Sequence, residues 1–186
     1  MKVTESSTSD AFLRDLADPA AAALGMASAA ATLAGEAVSP AGRGRLLQAL
    51  DPYERFARFE AAVARILELP LPTAAAAMRR IDDPAAWQPQ TPHIAYLPVV
   101  SGPGAGFFLC GFLRVDAGHE LPEHEHLGEE LTMVLQGAFV ESASGSLFLP
   151  GEPAIMPAGT RHKLHVPADG PHLVGLVTVK TGIRLV

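Results

Sequence analysis

The chain has 186 residues, 48% of them hydrophobic, and a formal net charge of −6. That length allows one full domain with a smaller companion, and the composition suits a globular protein with a real core. An acidic balance with no basic block argues against direct nucleic-acid binding through a charged face. The single cysteine, Cys110, excludes an intramolecular disulfide.

The first residues carry Lys2, Glu5, Asp10, Arg14, Asp15 and Asp18 before any apolar run. No signal peptide is therefore expected, and a cytoplasmic location follows as an expectation. Residues 10–17 and 19–35 read as helices. The second is mostly alanine, too short and too weakly apolar for a membrane span, which needs ~20 strongly apolar residues. Ser39-Pro40 and Asp51-Pro52 are helix starts with proline in the first turn. After the second start, Phe56, Phe59, Val63, Ile66 and Leu67 recur at helical spacing until Pro70 stops them. Another helix is expected from Pro72-Thr73 to Ile81, followed by a proline-containing linker over 88–92.

Composition changes near residue 90. Alanine gives way to Val, Phe, Leu and Gly, with turn residues at short intervals. Strands are expected over 93–100, 107–115, 130–135, 138–141, 146–149, 153–156, 162–166 and 172–179, with Ser144-Gly145 as a hairpin turn. Many short, evenly spaced strands indicate a sandwich or barrel. The organisation read from the sequence is an α-helical N-terminal region, 1–90, and a β-barrel domain, 91–186.

The chemistry concentrates in residues 118–137. In an extended chain residues two apart share a face, so His124 and His126 point the same way. Glu130 returns to that face after the Leu127-Gly128 bend, at the start of the next strand. A turn at 157–161 would bring His162 to them from a separate strand. Three imidazoles and a carboxylate suit zinc, iron, nickel, copper or manganese. Glu129 is the rival of Glu130, but its spacing turns it outward. Glu123 and Glu125 alternate with the histidines and should face solvent, as should Arg161 and Lys163. His119 is a candidate for the surroundings of the site or for the surface. His165 should face away, and His93 and His172 have no motif to support them. Beyond Glu130, parity places Thr132, Val134 and Gln136 inward. It places the equally apolar Leu131, Met133 and Leu135 on the other face, so the strand is covered on both sides. The second sheet, the helices or another subunit would supply the cover, and a homodimer is expected.

Two spacings carry a family resemblance. Gly118-x5-His124-x-His126-x3-Glu130-x6-Gly137 resembles the first cupin motif, and Gly151-x5-Pro157-x-Gly159-x2-His162 resembles the second. Val166 stands where the second motif often has asparagine. The resemblance implies a mainly β fold, a cupin (double-stranded β-helix, jelly-roll, RmlC-like) barrel behind the N-terminal α-helical segment. It implies one divalent metal on His124, His126, Glu130 and His162, with zinc expected first and iron, nickel or manganese as alternatives.

The run from Pro122 to Gly137 further resembles the cupin half of ChrR-type anti-sigma factors. In that family an N-terminal helical zinc-binding domain holds a sigma factor inactive and releases it under oxidative signals. The resemblance implies a transcriptional regulator or sensor with a sigma-factor partner. Residues 1–90 contain no histidine and no cysteine, so the His-x3-Cys-x2-Cys zinc motif of the family's anti-sigma domain cannot form here. The alternative is a small iron-dependent dioxygenase acting on a small-molecule ligand. No catalytic acid or base is assigned, and neither nucleic acid nor membrane is an expected partner.

Overall fold

The apolar spacing over 56–67 folds as two short helices, α1 (Glu54–Ala57) and α2 (Glu60–Ile66). Phe56, Phe59, Val63, Ile66 and Leu67 are all buried. The computed structural model describes residues 54–186; the helices expected over 10–17, 19–35 and from Pro40 to Leu50 lie outside the described residues. Glu68 ends the second helix with a φ of 52°, the left-handed geometry that turns a chain out of a helix. The third helix, α3 (Leu71–Arg79), has Pro72 in its first turn, where a missing N–H costs nothing. It tightens into a 3-10 turn at Arg80–Asp82, and Ile81 O there accepts the Trp87 indole N–H at 2.9 Å. Among the described residues no single helix is long and apolar enough to cross a membrane.

From residue 88 onward the chain is strands: β1 (Gln88–Thr91), β2 (Ile94–Pro98), β3 (Leu109–Val115), β4 (Glu120–His126), β5 (Glu130–Gln136), β6 (Phe139–Glu141), β7 (Leu147–Phe148), β8 (Pro153–Met156), β9 (Arg161–His165), β10 (Leu173–Val179) and β11 (Ile183–Leu185). They form two antiparallel sheets. One has the order β1-β2-β3-β10-β5-β8 and the other β11-β4-β9-β6-β7. Strand β10 is buried at every position, as a central strand covered on both faces should be. Between the sheets lies an apolar core that includes Leu113, Val134, Phe139, Leu164, Val166 and Val177. Val166 fills core space where asparagine often closes the motif, and its amide donates to His119 O at 2.9 Å.

The opposite face of the six-stranded sheet is also buried, at Leu97, Phe112, Met133, Leu135 and Leu176. The helices lie against this sheet at several points. Gly102 N donates to Leu67 O at 2.7 Å, Arg80 Nη1 donates to Pro98 O at 3.3 Å, and the Arg114 guanidinium stands 5.3 Å over the Trp87 ring. The second sheet thus covers one face of β5, through the shared core at Val134.

Three strands go beyond the expected ranges: β4, over the stretch read only as extended chain around His124 and His126, and the two edges β1 and β11. Residues 88–91, read as linker, pair with β2 as a fully exposed edge strand. An edge accepts Pro89 because no ladder N–H is required there, and Gln-Pro-Gln-Thr offers no apolar alternation to read. The C-terminal β11 is only three residues long and exposed, and it pairs with β4.

Candidate metal centre

Strand β4 carries two of the predicted donors and β9 a third. His124 and His162 are direct partners in the β4–β9 ladder, so opposed residues project from the same face. His162 thus stands beside His124 on one sheet instead of facing it from another. Glu130 is the first residue of β5, on the six-stranded sheet, and reaches the histidines across the barrel interior. The bend between them requires Gly128, because a Cβ there would collide with Thr181. The motif's last glycine, Gly137, has a φ of 72°, and a Cβ on it would stand 2.7 Å from His172 O.

The four side chains are buried, at 1% exposure for His124, 0% for His126, 4% for Glu130 and 3% for His162. One ligand atom from each lies within 4.8 Å of all the others. The three imidazoles form a triangle with centroids 4.7–4.9 Å apart. Nε2 of His124 and Nε2 of His162 are 3.2 Å apart, and Nε2 of His126 is 3.6 Å from Glu130 Oε2.

Neighbouring groups orient the rings. His124 Nδ1 is 2.9 Å from Pro122 O, which can only accept, so Nδ1 carries the proton and Nε2 the lone pair. His126 Nδ1 is 3.0 Å from Thr160 Oγ1. That hydroxyl donates its own proton to Pro157 O at 2.7 Å and so accepts from the ring. Nδ1 of His162 faces Glu141 Oε1 at 3.4 Å, a charge contact longer than a good hydrogen bond. Glu141 is itself held by the amides of Ala143 and Ser144, both at 2.7 Å, and by the Ser144 hydroxyl at 2.6 Å. Thr132 Oγ1 donates to Glu130 Oε1 at 3.2 Å.

Burial sets the protonation of the cluster. It pushes the Glu130 carboxyl up to about 7, against a smaller pull from the Thr132 hydroxyl. Burial, helped by His162 and His124, holds His126 down at about 4. His162 is lowered as well, by burial first and His124 second, while Glu141 works in the other direction. For Glu141 burial acts upward, but the Ser144 hydroxyl and the two turn amides outweigh it, and its carboxyl sits below the ordinary range.

This arrangement fits a divalent metal. His126 Nε2 is buried with no hydrogen-bond partner, a costly state for a nitrogen lone pair. Nε2 of His124, whose lone pair is free, faces Nε2 of His162 across 3.2 Å, a spacing at which one cation could take both nitrogens. Donor separations of 3.2 and 3.6 Å suit ligands around one ion with bonds of ~2.0–2.2 Å.

The other candidates lie elsewhere. Lys180 Nζ pairs with Glu129 at 3.0 Å. Glu125 points to the outer face, where Arg161 Nη2 meets it at 2.8 Å and Arg184 Nη2 at 2.6 Å; those two guanidinium groups lower its pKa, Arg184 foremost. Lys163 pairs with Glu120 at 3.1 Å. His119 stacks on His93, with centroids 3.5 Å apart, and His165 faces Glu120. Gln136 leaves the inward row, because the β5–β10 register shifts between Val134 and Gln136, and its side chain meets His172 at 3.0 Å. Sequence reasoning placed Thr132 inward without a role, and missed Glu141 and Thr160, whose only signal was Glu-Ser-Ala-Ser at a hairpin and a threonine two before His162.

A cavity of about 350 Å³ opens above the cluster, with His124 and Glu130 in its wall and mainly apolar side chains elsewhere.

No protein-family model matches the chain, and no curated protein matches it. Solved structures do. One is the complex of Rhodobacter sphaeroides SigE with the anti-sigma ChrR, at 23% identity and a TM-score of 0.54, covering 90% of this chain and 83% of that one. Another is a Ralstonia eutropha protein of unknown function with a cupin-like fold, at 17% identity and a TM-score of 0.45. That match covers 50% of this chain and only 59% of the other. An acetylacetone dioxygenase from Acinetobacter johnsonii matches at 15% identity and a TM-score of 0.48, over 56% of this chain and 74% of that one. The two antiparallel sheets make a mainly β, cupin-like fold that resembles the ChrR structure over most of the chain.

Proposed function

We propose that this chain is a metal-binding cupin regulator of the ChrR type. In this reading His124, His126, Glu130 and His162 hold one divalent ion, zinc first, and the helical N-terminal region engages a sigma factor. The metal part is supported by four buried donors whose neighbours aim the imidazole lone pairs inward. Bound there, the ion supplies a fixed positive charge and Lewis acidity. The chain's own residues do the rest. Pro122 O and Thr160 fix two tautomers, Glu141 orients the third ring, and the apolar barrel wall limits water.

The regulatory part is carried by one observation: the likeness to the protein crystallised with SigE extends over 90% of the chain, well beyond the barrel. Without histidine or cysteine in residues 1–90, sigma-factor engagement would use an apolar helix face packed in a groove, with no zinc finger. The reading takes the protein to be cytoplasmic and homodimeric. Its test is purification of the tagged chain from its native host, with elemental analysis and mass spectrometry of what accompanies it. Near one zinc per chain with a sigma factor in matching amount supports the reading. Absence of any metal removes it.

The cavity favours a second reading, a small iron-dependent dioxygenase, because it offers a small molecule direct access to two of the four donors. Near one iron per chain, no sigma factor, and oxygen uptake with a candidate substrate would select it.

A further inference from the structure

We infer that the cavity takes a small ligand with an apolar body and one oxygen-bearing end, the body being selected by Ile183 and Leu185 of the C-terminal strand. The inference rests on the metal reading above and names the kind of molecule that would reach that site.

In the β11–β4 ladder Ile183 is the direct partner of His126, and Leu185 of His124. Opposed residues in an antiparallel pair project from the same face. Ile183 and Leu185 therefore flank the two histidines, and both line the cavity. Arg184, between them, is opposite Glu125 and points to the other face, where the pair closes at 2.6 Å. The strand is fastened from outside by a charge and sets two aliphatic side chains along the cavity, Ile183 at 42% and Leu185 at 70% exposure. From the other sheet Ile94, Leu113 and Val177 continue the apolar wall.

The polar lining side chains are few: Gln90 and Thr91 of the exposed edge strand, Tyr96, and the candidate donors His124 and Glu130. Among the described residues that line the cavity, none is lysine or arginine. A phosphate or dicarboxylate would find no countercharge apart from the metal, and a sugar would leave most of its hydroxyls unpaired against aliphatic carbon. At ~30 Å³ per water-sized group the volume admits roughly a dozen non-hydrogen atoms. A compact hydrocarbon body with a single donor end meets these constraints.

The experiment uses the metal-loaded full chain, titrated calorimetrically with octanohydroxamic and acetohydroxamic acid. The two share a metal-binding head and differ in six methylenes. Each fully buried methylene is worth about a factor of four, so burial of half the difference predicts about 60-fold tighter binding of the longer acid. An I183N/L185N double variant, changed only on an exposed edge strand, should lose about tenfold for octanohydroxamic acid and nothing for acetohydroxamic acid. Equal affinities of the two acids for the native chain, or no effect of the double variant, would overturn the inference. Failure of the metal reading shows separately, as a purified chain that retains no metal. On such a chain heptan-1-ol and glycerol are compared by chemical-shift titration. Binding of heptan-1-ol alone keeps the apolar selection, and equal behaviour of the two alcohols overturns it.

Discussion

Nδ1 of His162 lies 3.4 Å from Oε1 of Glu141, and both groups are almost fully buried. Three donors from the Ala143–Ser144 turn hold that carboxylate in place. Outer carboxylates of this kind fix the orientation and raise the basicity of a ligating imidazole. Replacing Glu141 by Gln should weaken metal binding by about 10- to 100-fold while the fold persists. Chelator competition checks the affinity, and circular dichroism checks the fold. Ser144→Ala, which loosens Glu141 without removing it, should act in the same direction and less strongly.

The two acidic neighbours at the bend should separate cleanly. His124→Ala and His126→Ala are expected to abolish metal retention. Glu129→Ala should leave metal content near the native value, because Glu129 pairs outward with Lys180. Elemental analysis of the dialysed variants decides it. A loss in Glu129→Ala equal to that in Glu130→Ala would reverse the choice between the carboxylates.

Metal affinity should rise with pH up to about neutrality. Without metal, Glu130 titrates at about 7, so below that pH its carboxyl holds a proton that a metal must displace. His126, held down at about 4, is already neutral at pH 6 and gives up no proton. Metal binding at pH 6 is therefore expected to release a proton from Glu130. Calorimetry in buffers of different ionisation enthalpy measures that release, and Glu130→Gln should reduce it by about one proton per metal bound.

Restoring the asparagine common in the second motif should destabilise this chain. Val166 is buried in the barrel core. An amide there, if unpaired, costs about 1–3 kcal/mol, so Val166→Asn should shift the urea midpoint downward with an unchanged slope. No loss of stability would mean that the local backbone satisfies the new amide.

Much of this architecture was legible because strands and helices have different apolar periods. The eight strands read from residue 93 onward all form, and Phe56, Phe59 and Val63 bury as their spacing indicates. The clustering of His124, His126, Glu130 and His162 was legible because their two spacings put a pair on one strand and a third residue just past a glycine bend. The edge strands β1 and β11 were not, since four polar residues and a three-residue tail have no period to detect. Glu141 escaped because its part depends on a long-range pairing of β6 with β9, which sequence distance hides. Gln136 was misplaced by parity, which a single register shift inverts.

Three of the four donors belong to the five-stranded sheet, and Glu130 alone belongs to the other. The strand that begins with Glu130 also carries Met133 and Leu135, both buried. Among the described residues no other strand combines a candidate donor with a place in the six-stranded sheet. An ion drawing on all four groups would span the two sheets like a rivet, and its loss would free one end of β5. A change of ligation would then have a short mechanical route, seven residues long, from the barrel interior along β5 to Gln136 and its partner His172.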